Sequence, residues 1–206
     1  MTRVKKAIQL IIRHWDIPVL VFLTASMIGA AVWARESRIP DAASPARSQA
    51  IQTAQQYLGY NEADSTHQVI VDIYNSQSPL PRDYPLTYED SWCACFISTV
   101  SILCDTTDIL PTECSCGQMI TLFQQLGRWT ETDWYRPNPG DIIFYDWNAA
   151  EQGDCAGWPE HVGMVTQVFG PVIKVIEGNR NDCVCYRYVF IDDPQIRGYG
   201  LPEYPQ

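Results

Sequence analysis

The hydrophobic residues of this chain change their spacing near Pro137, and this change limits the fold more than any other feature of the sequence. Upstream, apolar residues recur every three or four positions, as in amphipathic helices, in four segments: residues 48–60, 66–76, 92–104 and 117–129. Downstream, short runs rich in Val, Ile, Tyr and Phe are separated by turn residues, as in antiparallel strands; they begin at Pro137, His161, Pro171, Val184 and Ile196. Helices followed by strands predict an α+β fold in which the helices pack on one side of an antiparallel sheet.

An uncharged segment precedes the helices, at residues 17–34. Its eighteen residues, at about 1.5 Å each, just span a hydrocarbon core about 30 Å thick, so we expect a single transmembrane helix. Residues 1–16 carry four Lys or Arg residues against Asp16 alone, which places them in the cytoplasm and the later residues outside the cell membrane. A cleaved signal peptide, leaving a secreted domain, is the alternative. The length of the run and the bulky Trp33 favour an uncleaved anchor.

Residues 35–47 form a polar segment with two prolines, which we interpret as a linker. The residues that follow it are strongly acidic. Residues 48–206 hold 7 of the 14 Lys and Arg residues and 21 of the 24 Asp and Glu residues, a net charge of −14. Nucleic-acid binding requires clustered Lys and Arg, so this composition argues against nucleic acid as a partner. An anionic polymer would have to be bound by local groups.

The eight cysteines are many for a domain of this size, and six of them form three C-x-C pairs, at residues 93/95, 114/116 and 183/185. An exported domain permits disulfides, and we expect one within each of two clusters, residues 104/114/116 and 155/183/185. Structural zinc is the alternative, but these spacings and the scattered histidines do not match the usual zinc ligand patterns. The sequence therefore predicts no metal site.

Cys93 is the candidate nucleophile. If Asp90 or Ser91 caps the helix, Cys93 lies in its first turn, where unsatisfied N–H groups favour a thiolate. Cys95 is rotated from it by about 200° around the helix, so the two sulfurs cannot face the same cleft. From this segment alone, both cysteines could equally be core residues, since free cysteine is often buried.

A thiol nucleophile needs a base, and His161 at the start of a predicted strand is the best placed of three histidines. His14 precedes the apolar segment, and His67 is expected to be exposed. Glu177 and Asn179 end the next strand and alternate with its apolar residues, so we expect both on one face of the sheet. The carboxylate can then accept the imidazole N–H, and the amide can steady the same ring.

An ordered series of motifs runs through the exported segment. It consists of W-C-A-x-F at Trp92–Phe96, P-x-P-G-D-I-I-F-Y-D-W at Pro137–Trp147, H-V-G-M-V at His161–Val165, I-E-G-N at Ile176–Asn179 and I-x-G-Y at Ile196–Tyr199. This series resembles the CHAP family of cysteine amidohydrolases and peptidases, over about residues 48–202. The resemblance implies a papain-like fold of the CHAP and NlpC/P60 type for residues 48–206.

The resemblance also implies the roles of the site residues. Cys93 is expected to be the nucleophile, His161 the base, Glu177 the orienting acid and Asn179 an auxiliary polar group. Peptidoglycan is the expected substrate, cleaved as an amidase or an endopeptidase through a thioester, with no cofactor. Trp92 and Trp158 are candidates to bind the substrate. The acidic stretch of residues 60–90 lacks a calcium-loop pattern, so no calcium is expected.

Two other functions are compatible with the sequence. One is hydrolysis of a small soluble peptide amide, and the other is a non-catalytic envelope protein, anchored in the membrane, with a vestigial triad. Reactivity of Cys93 as a thiolate distinguishes the enzymes from the non-catalytic protein.

Overall fold

The computed structural model describes residues 44–132, 134–148 and 157–205. Four α-helices come first in this part of the chain: α1 at Pro45–Gln56, α2 at Gln68–Asn75, α3 at Cys93–Leu103 and α4 at Cys116–Gln125. A short 3₁₀ helix, Pro81–Asp83, lies between α2 and α3. The four helices occupy the four segments that the helical spacing predicts, with ends displaced by a few residues.

The strands form one antiparallel sheet. They are β1 at Trp129–Thr130, β2 at Ile142–Tyr145, β3 at His161–Phe169, β4 at Val172–Arg180, β5 at Cys183–Phe190 and β6 at Ile196–Gly200, in the order β1-β6-β2-β3-β4-β5. Strands β2 to β6 correspond to the five runs identified in the sequence. The predicted α+β architecture, with helices packed on an antiparallel sheet, is confirmed.

Helix α3 is the centre of the core. It contacts α1, α2, α4 and strands β3 and β4, and every residue from Cys93 to Ser101 is buried. Strands β2, β3 and β4 have two apolar faces. Alternate residues of each strand pack against the helices, and the others form a second apolar cluster on the opposite face, which contains Ile143, Tyr145 and Val175. A helix surrounded in this way fixes the position of its first residue, Cys93.

Three boundaries differ from the sequence prediction. Helix α1 begins at Pro45 instead of Ser48, so the last residues of the predicted linker belong to the domain; Arg47 donates to the carbonyl of Pro139 at 2.6 Å. The segment after α4 forms β1, a short strand that the sequence did not predict and that pairs with β6. The N-cap of α3 is Trp92, with no side-chain cap, instead of the predicted Asp90 or Ser91; the carboxylate of Asp90 accepts hydrogen bonds from Thr87.

The predicted membrane segment, residues 17–34, lies outside the described residues, as does His14. Within residues 44–132, 134–148 and 157–205, no helix is long and apolar enough to cross a membrane.

Gly178 allows α3 to approach β4 closely. A Cβ atom at this position would lie 2.5 Å from the Cβ of Phe96 and 3.0 Å from the ring of Trp92. We therefore expect Gly178→Ala to lower the free energy of unfolding by about 1–3 kcal/mol, the usual cost of adding a methyl group to a close-packed contact. Urea unfolding measures this loss.

The matched control is Gln124→Ala, which removes an exposed side chain from α4 and should leave the unfolding midpoint nearly unchanged. Equal midpoints for Gly178→Ala and the wild type would show that α3 and β4 are not held in this close contact.

Candidate active site

Cys93 is the first residue of α3, and its sulfur contacts three groups. Its Sγ lies 3.7 Å from Sγ of Cys116, and it interacts with the imidazole of His161 and with the backbone N–H of Ala94. The side chain is buried, with 5% of the residue surface exposed. The contacts with donors place this thiol where a negative charge is stabilised.

The pKa of the Cys93 thiol is lowered well below its usual range. The hydrogen bond with Cys116 is the largest cause, burial opposes it, and the hydrogen bond and positive charge of His161 and the Ala94 N–H lower the pKa further. At neutral pH we therefore treat Cys93 as a thiolate. This is the form that a nucleophilic cysteine requires.

His161 begins β3 and connects Cys93 to the sheet. Its Nε2 lies 3.2 Å from Oε2 of Glu177, which leaves Nδ1 for the thiol. Burial acts to lower the pKa of His161, but its hydrogen bonds with Cys93 and Glu177 raise that pKa to about 9. The rings of Tyr145 and Trp147 lie 6.0 and 5.8 Å from the imidazole and restrict its orientation.

Glu177 is a carboxylate without exposed surface, held by cations. It accepts a hydrogen bond of 2.7 Å from Nε of Arg187, and Nε of Arg180 lies 3.6 Å away. Burial acts to raise the pKa of Glu177, but His161 and Arg187 outweigh it and lower that pKa. The carboxylate therefore stays charged, as an orienting acid must.

The two arginines of this site were not identified from the sequence. Arg187 lies on β5, where it packs over the rings of Tyr145 and Trp147, and Arg180 ends β4. Each looked like an ordinary surface residue of a strand. Their function becomes visible only when β4 and β5 pair beside Glu177.

Asn179 lines the same cleft as His161 and also bonds the start of α3. With its amide oriented to satisfy both partners, it accepts a hydrogen bond from the backbone N–H of Trp92 at 3.2 Å and donates to Glu62 at 3.3 Å. Its φ of 55° lies in the left-handed region and interrupts the regular strand geometry at the end of β4. Asn179 therefore fastens the start of α3 to the end of β4.

The two tryptophans proposed for substrate binding lie in different environments. Trp92 has no exposed surface; it donates to Glu62 at 2.9 Å and packs on His67 with ring centroids 5.7 Å apart. Because it is completely buried, Trp92 has a structural role, which corrects the prediction. Trp158 is 68% exposed and lies over Gly117 at the start of α4, beside Cys116.

The prediction that His67 is exposed is wrong. Its imidazole is buried, with Nδ1 3.3 Å from the carbonyl of Asn61 and Nε2 3.1 Å from the carbonyl of Tyr88. His67 is therefore part of the packing around Trp92 and does not lie beside the Cys93 thiol.

The cysteines of the described part of the chain are free thiols: Cys93, Cys95, Cys104, Cys114, Cys116, Cys183 and Cys185. The disulfide predicted in the 104/114/116 cluster is therefore absent, and in the other cluster Cys155 lies outside the described residues. Cys95 faces α2, with Sγ 3.7 Å from the carbonyl of Ile70, as its rotation from Cys93 requires. Among these residues, no group of three or more His, Cys, Asp or Glu residues is arranged to hold a metal ion.

A cleft of about 340 Å³ opens beside the imidazole. Most of its lining is polar or cationic: Trp147, His161, Asn179, Arg180, Asn181, Arg187 and Gln195. The domain as a whole is strongly acidic, so this cleft is a local exception that can accept an anionic group.

Comparison with known proteins finds a similarity to one family model. Residues 83–179 match the family model of the CHAP domain, and the matched segment contains Cys93, His161, Glu177 and Asn179. No curated protein matches the chain.

Solved structures show weaker likenesses. The crystal structure of Ly7917 has a TM-score of 0.46 and 14% identity, and that of Ly7917 with the hydrolyzing product of MDP has 0.44 and 12%; each comparison covers 76% of this chain and 62% of the other. An NlpC/P60 family protein from Bacillus cereus ATCC 10987 has a TM-score of 0.43 and 16% identity, covering 81% of this chain and 43% of that protein. The chain thus spans less than two thirds of each of these structures.

The lowered pKa of Cys93 predicts rapid alkylation in mild acid. At pH 6 an ordinary thiol with a pKa of about 8.5 is less than about 1% thiolate. We expect iodoacetamide to modify Cys93 of the wild type at least about tenfold faster than Cys93 of His161→Ala, measured by peptide mass spectrometry. Equal rates in the two proteins would contradict an activated thiol.

Replacing Glu177 tests the origin of the raised pKa of His161. We expect Glu177→Gln to move the imidazole pKa below about 9, because the carboxylate is one of the groups that raise it. An NMR titration of the histidines measures this shift. Glu160→Gln is the control, since Glu160 precedes His161 but bonds Trp147 and Asn148; a similar shift in both variants would refute the pairing.

Proposed function

We propose that this chain, whose residues 83–179 match the model of the CHAP domain, hydrolyses an amide bond in the peptides of peptidoglycan. The observation that supports this most directly is the connected series from Cys93 through His161 to Glu177, with the thiol at a helix start. A cysteine nucleophile needs a base within reach and a group that orients the base, and these residues supply both.

The first half of the reaction forms a thioester. His161 holds the proton of Cys93, and the thiolate attacks the carbonyl carbon of the scissile amide. Backbone N–H groups at the start of α3 have no partner within the helix and are suitable donors to the oxyanion. His161 then protonates the leaving amine, and the C–N bond breaks.

The second half releases the product. Water loses a proton to the now neutral His161 and attacks the thioester carbonyl, and the new carboxylic acid leaves as the Cys93 thiolate is regenerated. Glu177 stays ionised throughout, because Arg187 and Arg180 compensate its charge. Its part is to fix the tautomer and orientation of the imidazole.

Peptidoglycan is supported as the substrate by the family and by the chemistry of the cleft. The CHAP resemblance implies a wall amidase or endopeptidase, and wall peptides carry free carboxylates. Arg180 and Arg187 give the cleft beside His161 the positive charge that such carboxylates require, in a domain that otherwise repels anions. Trp158 offers an exposed ring over Gly117, the residue after Cys116.

The location follows as part of the proposal. The apolar segment at residues 17–34, with its basic flank, would anchor the chain in the cell membrane and place the domain outside, where peptidoglycan lies. This arrangement would also hold the enzyme close to its substrate.

Digestion of purified peptidoglycan by the full-length chain tests the proposed function. We expect soluble fragments from the wild type and none from a folded Cys93→Ala variant. Mass spectrometry of the new termini separates an amidase, which frees the sugar lactyl group, from an endopeptidase, which frees peptide ends. Absence of fragments from several wall types would refute peptidoglycan as substrate, and release by Cys93→Ala would refute the mechanism.

The protonation states of the site predict a bell-shaped dependence of kcat/KM on pH. The lowered pKa of Cys93 sets the acid side, where the thiolate gains a proton. The raised pKa of His161 sets the alkaline side, so activity should fall as pH rises through about 9, where the imidazolium loses the proton it must donate. Activity that already falls as the pH is raised from 6 to 7 would contradict this assignment.

A further inference from the structure

The reactive sulfur has a second sulfur beside it. Cys93 and Cys116 are the first residues of α3 and α4, and their Sγ atoms are 3.7 Å apart. A disulfide bond is about 2.05 Å long, so rotation of the side chains has to close only about 1.7 Å. Both residues keep a small exposed fraction, 5% and 7%, through which a small oxidant can approach.

The segment before α4 is fastened in a way that keeps Cys116 at this position. The Oγ of Ser98, on α3, donates to the carbonyl of Glu113 at 2.7 Å and accepts from its N–H at 2.8 Å. The buried Glu113 carboxylate pairs with Arg82 at 2.7 Å and accepts the N–H groups of Cys114 and Ser115. The contact between the two sulfurs is therefore a consequence of the packing of α3 against this segment.

The two sulfurs carry complementary protonation states. The pKa of Cys93 is lowered, whereas the pKa of Cys116 is raised well above its usual range, chiefly by its hydrogen bond with Cys93 and also by burial. Oxidation of Cys93 to a neutral sulfenic acid removes the negative charge that holds the proton on Cys116. The second thiol is thus released to react only after the first has been oxidised.

Other cysteines near the site point elsewhere. Cys95 lies on the opposite side of α3 against the carbonyl of Ile70, and Cys114 contacts Arg82 at 3.2 Å. Among the cysteines of the described residues, Cys116 is the one in contact with the proposed nucleophile.

We propose that Cys116 is a resolving cysteine, which forms a reversible disulfide with the catalytic Cys93 when a hydroperoxide oxidises the site. This proposal rests on the proposed function, in which Cys93 is the nucleophile. The disulfide switches the hydrolase off, because Cys93 has no free thiolate, and it protects Cys93 from further oxidation.

The chemistry balances in two steps. The Cys93 thiolate attacks the O–O bond of the hydroperoxide, giving a sulfenic acid and, after protonation, an alcohol or water. The Cys116 sulfur then attacks the Cys93 sulfur, and hydroxide leaves with the Cys116 proton as water. Two thiols have lost two electrons to one hydroperoxide, and a dithiol reductant reverses the change.

The first test maps the disulfide in the full-length protein. The protein is treated with equimolar hydrogen peroxide, remaining thiols are alkylated, and the peptides are sequenced by mass spectrometry. We expect a linked pair of peptides containing Cys93 and Cys116, which disappears after treatment with dithiothreitol. Failure to find this pair, or linkage of Cys93 to another cysteine, overturns the proposal.

The second test compares recovery of peptidoglycan hydrolysis after oxidation. Each protein is inactivated with peroxide and then reduced, and its activity is divided by its own activity before oxidation. We expect the wild type to recover, and Cys116→Ser and Cys116→Ala to recover at least about tenfold less, because their Cys93 proceeds to sulfinic acid. Cys114→Ser, the matched control on the same segment, should behave like the wild type.

The outcomes separate this proposal from the proposed function. Equal recovery in the wild type and both Cys116 variants, with folding verified by circular dichroism, overturns the resolving role. The peptide map does not depend on hydrolysis. A linked pair of peptides in a protein that does not digest peptidoglycan would therefore support the disulfide and refute peptidoglycan as the substrate. Digestion by a wild type that forms no linked pair refutes the disulfide alone.

Discussion

The contacts of the buried Glu177 carboxylate hold the other groups of the site in place. An ionised group without solvent is stable only when its charge is compensated, and Glu177 obtains this compensation from Arg187, Arg180 and the imidazole of His161. The imidazole is thereby held at one end by the carboxylate, so its other nitrogen faces Cys93. Removal of the carboxylate would leave two cations unpaired and the base without orientation. The anion therefore links the stability of the sheet to the chemistry of the thiol.

The close packing of α3 on the sheet supplies the second constraint. Gly178 removes a side chain where β4 meets Phe96, and Gly163 leaves room for the Glu177 side chain, whose Cγ would be 2.7 Å from a Cβ at that position. The glycines of the H-V-G and E-G-N motifs are therefore required by contact between elements. Asn179 completes the arrangement by bonding the backbone of Trp92 at the helix start. The start of the helix, the proposed base and the proposed orienting acid are positioned by a few adjacent residues of β3 and β4.

The same geometry gives the thiol both reactivity and exposure to oxidation. Cys93 is activated by the helix start, His161 and Cys116, and a stabilised thiolate is also the form that peroxides attack. The neighbouring Cys116 contributes to the low pKa and supplies a partner sulfur at 3.7 Å. Activation and reversible protection thus follow from one contact, between the first residues of α3 and α4.

The α+β fold follows from the sequence alone, because the change from a period of three or four to a period of two marks helices and strands directly. The sequence also indicated Cys93, His161 and Glu177, since a cysteine at a helix start and polar residues at strand ends are visible as local patterns. The other contacts of the site become visible only in the tertiary structure. The pairing of β4 with β5 brings Arg187 to Glu177, the left-handed φ of Asn179 turns its amide to α3, and the packing before α4 places Cys116 beside Cys93. These contacts join residues that are far apart in the chain. Periodicity could not predict them, because it indicates only which face of its own helix or strand a residue occupies. The buried positions of His67 and Trp92 were missed for the same reason, because burial depends on which other elements pack against a residue.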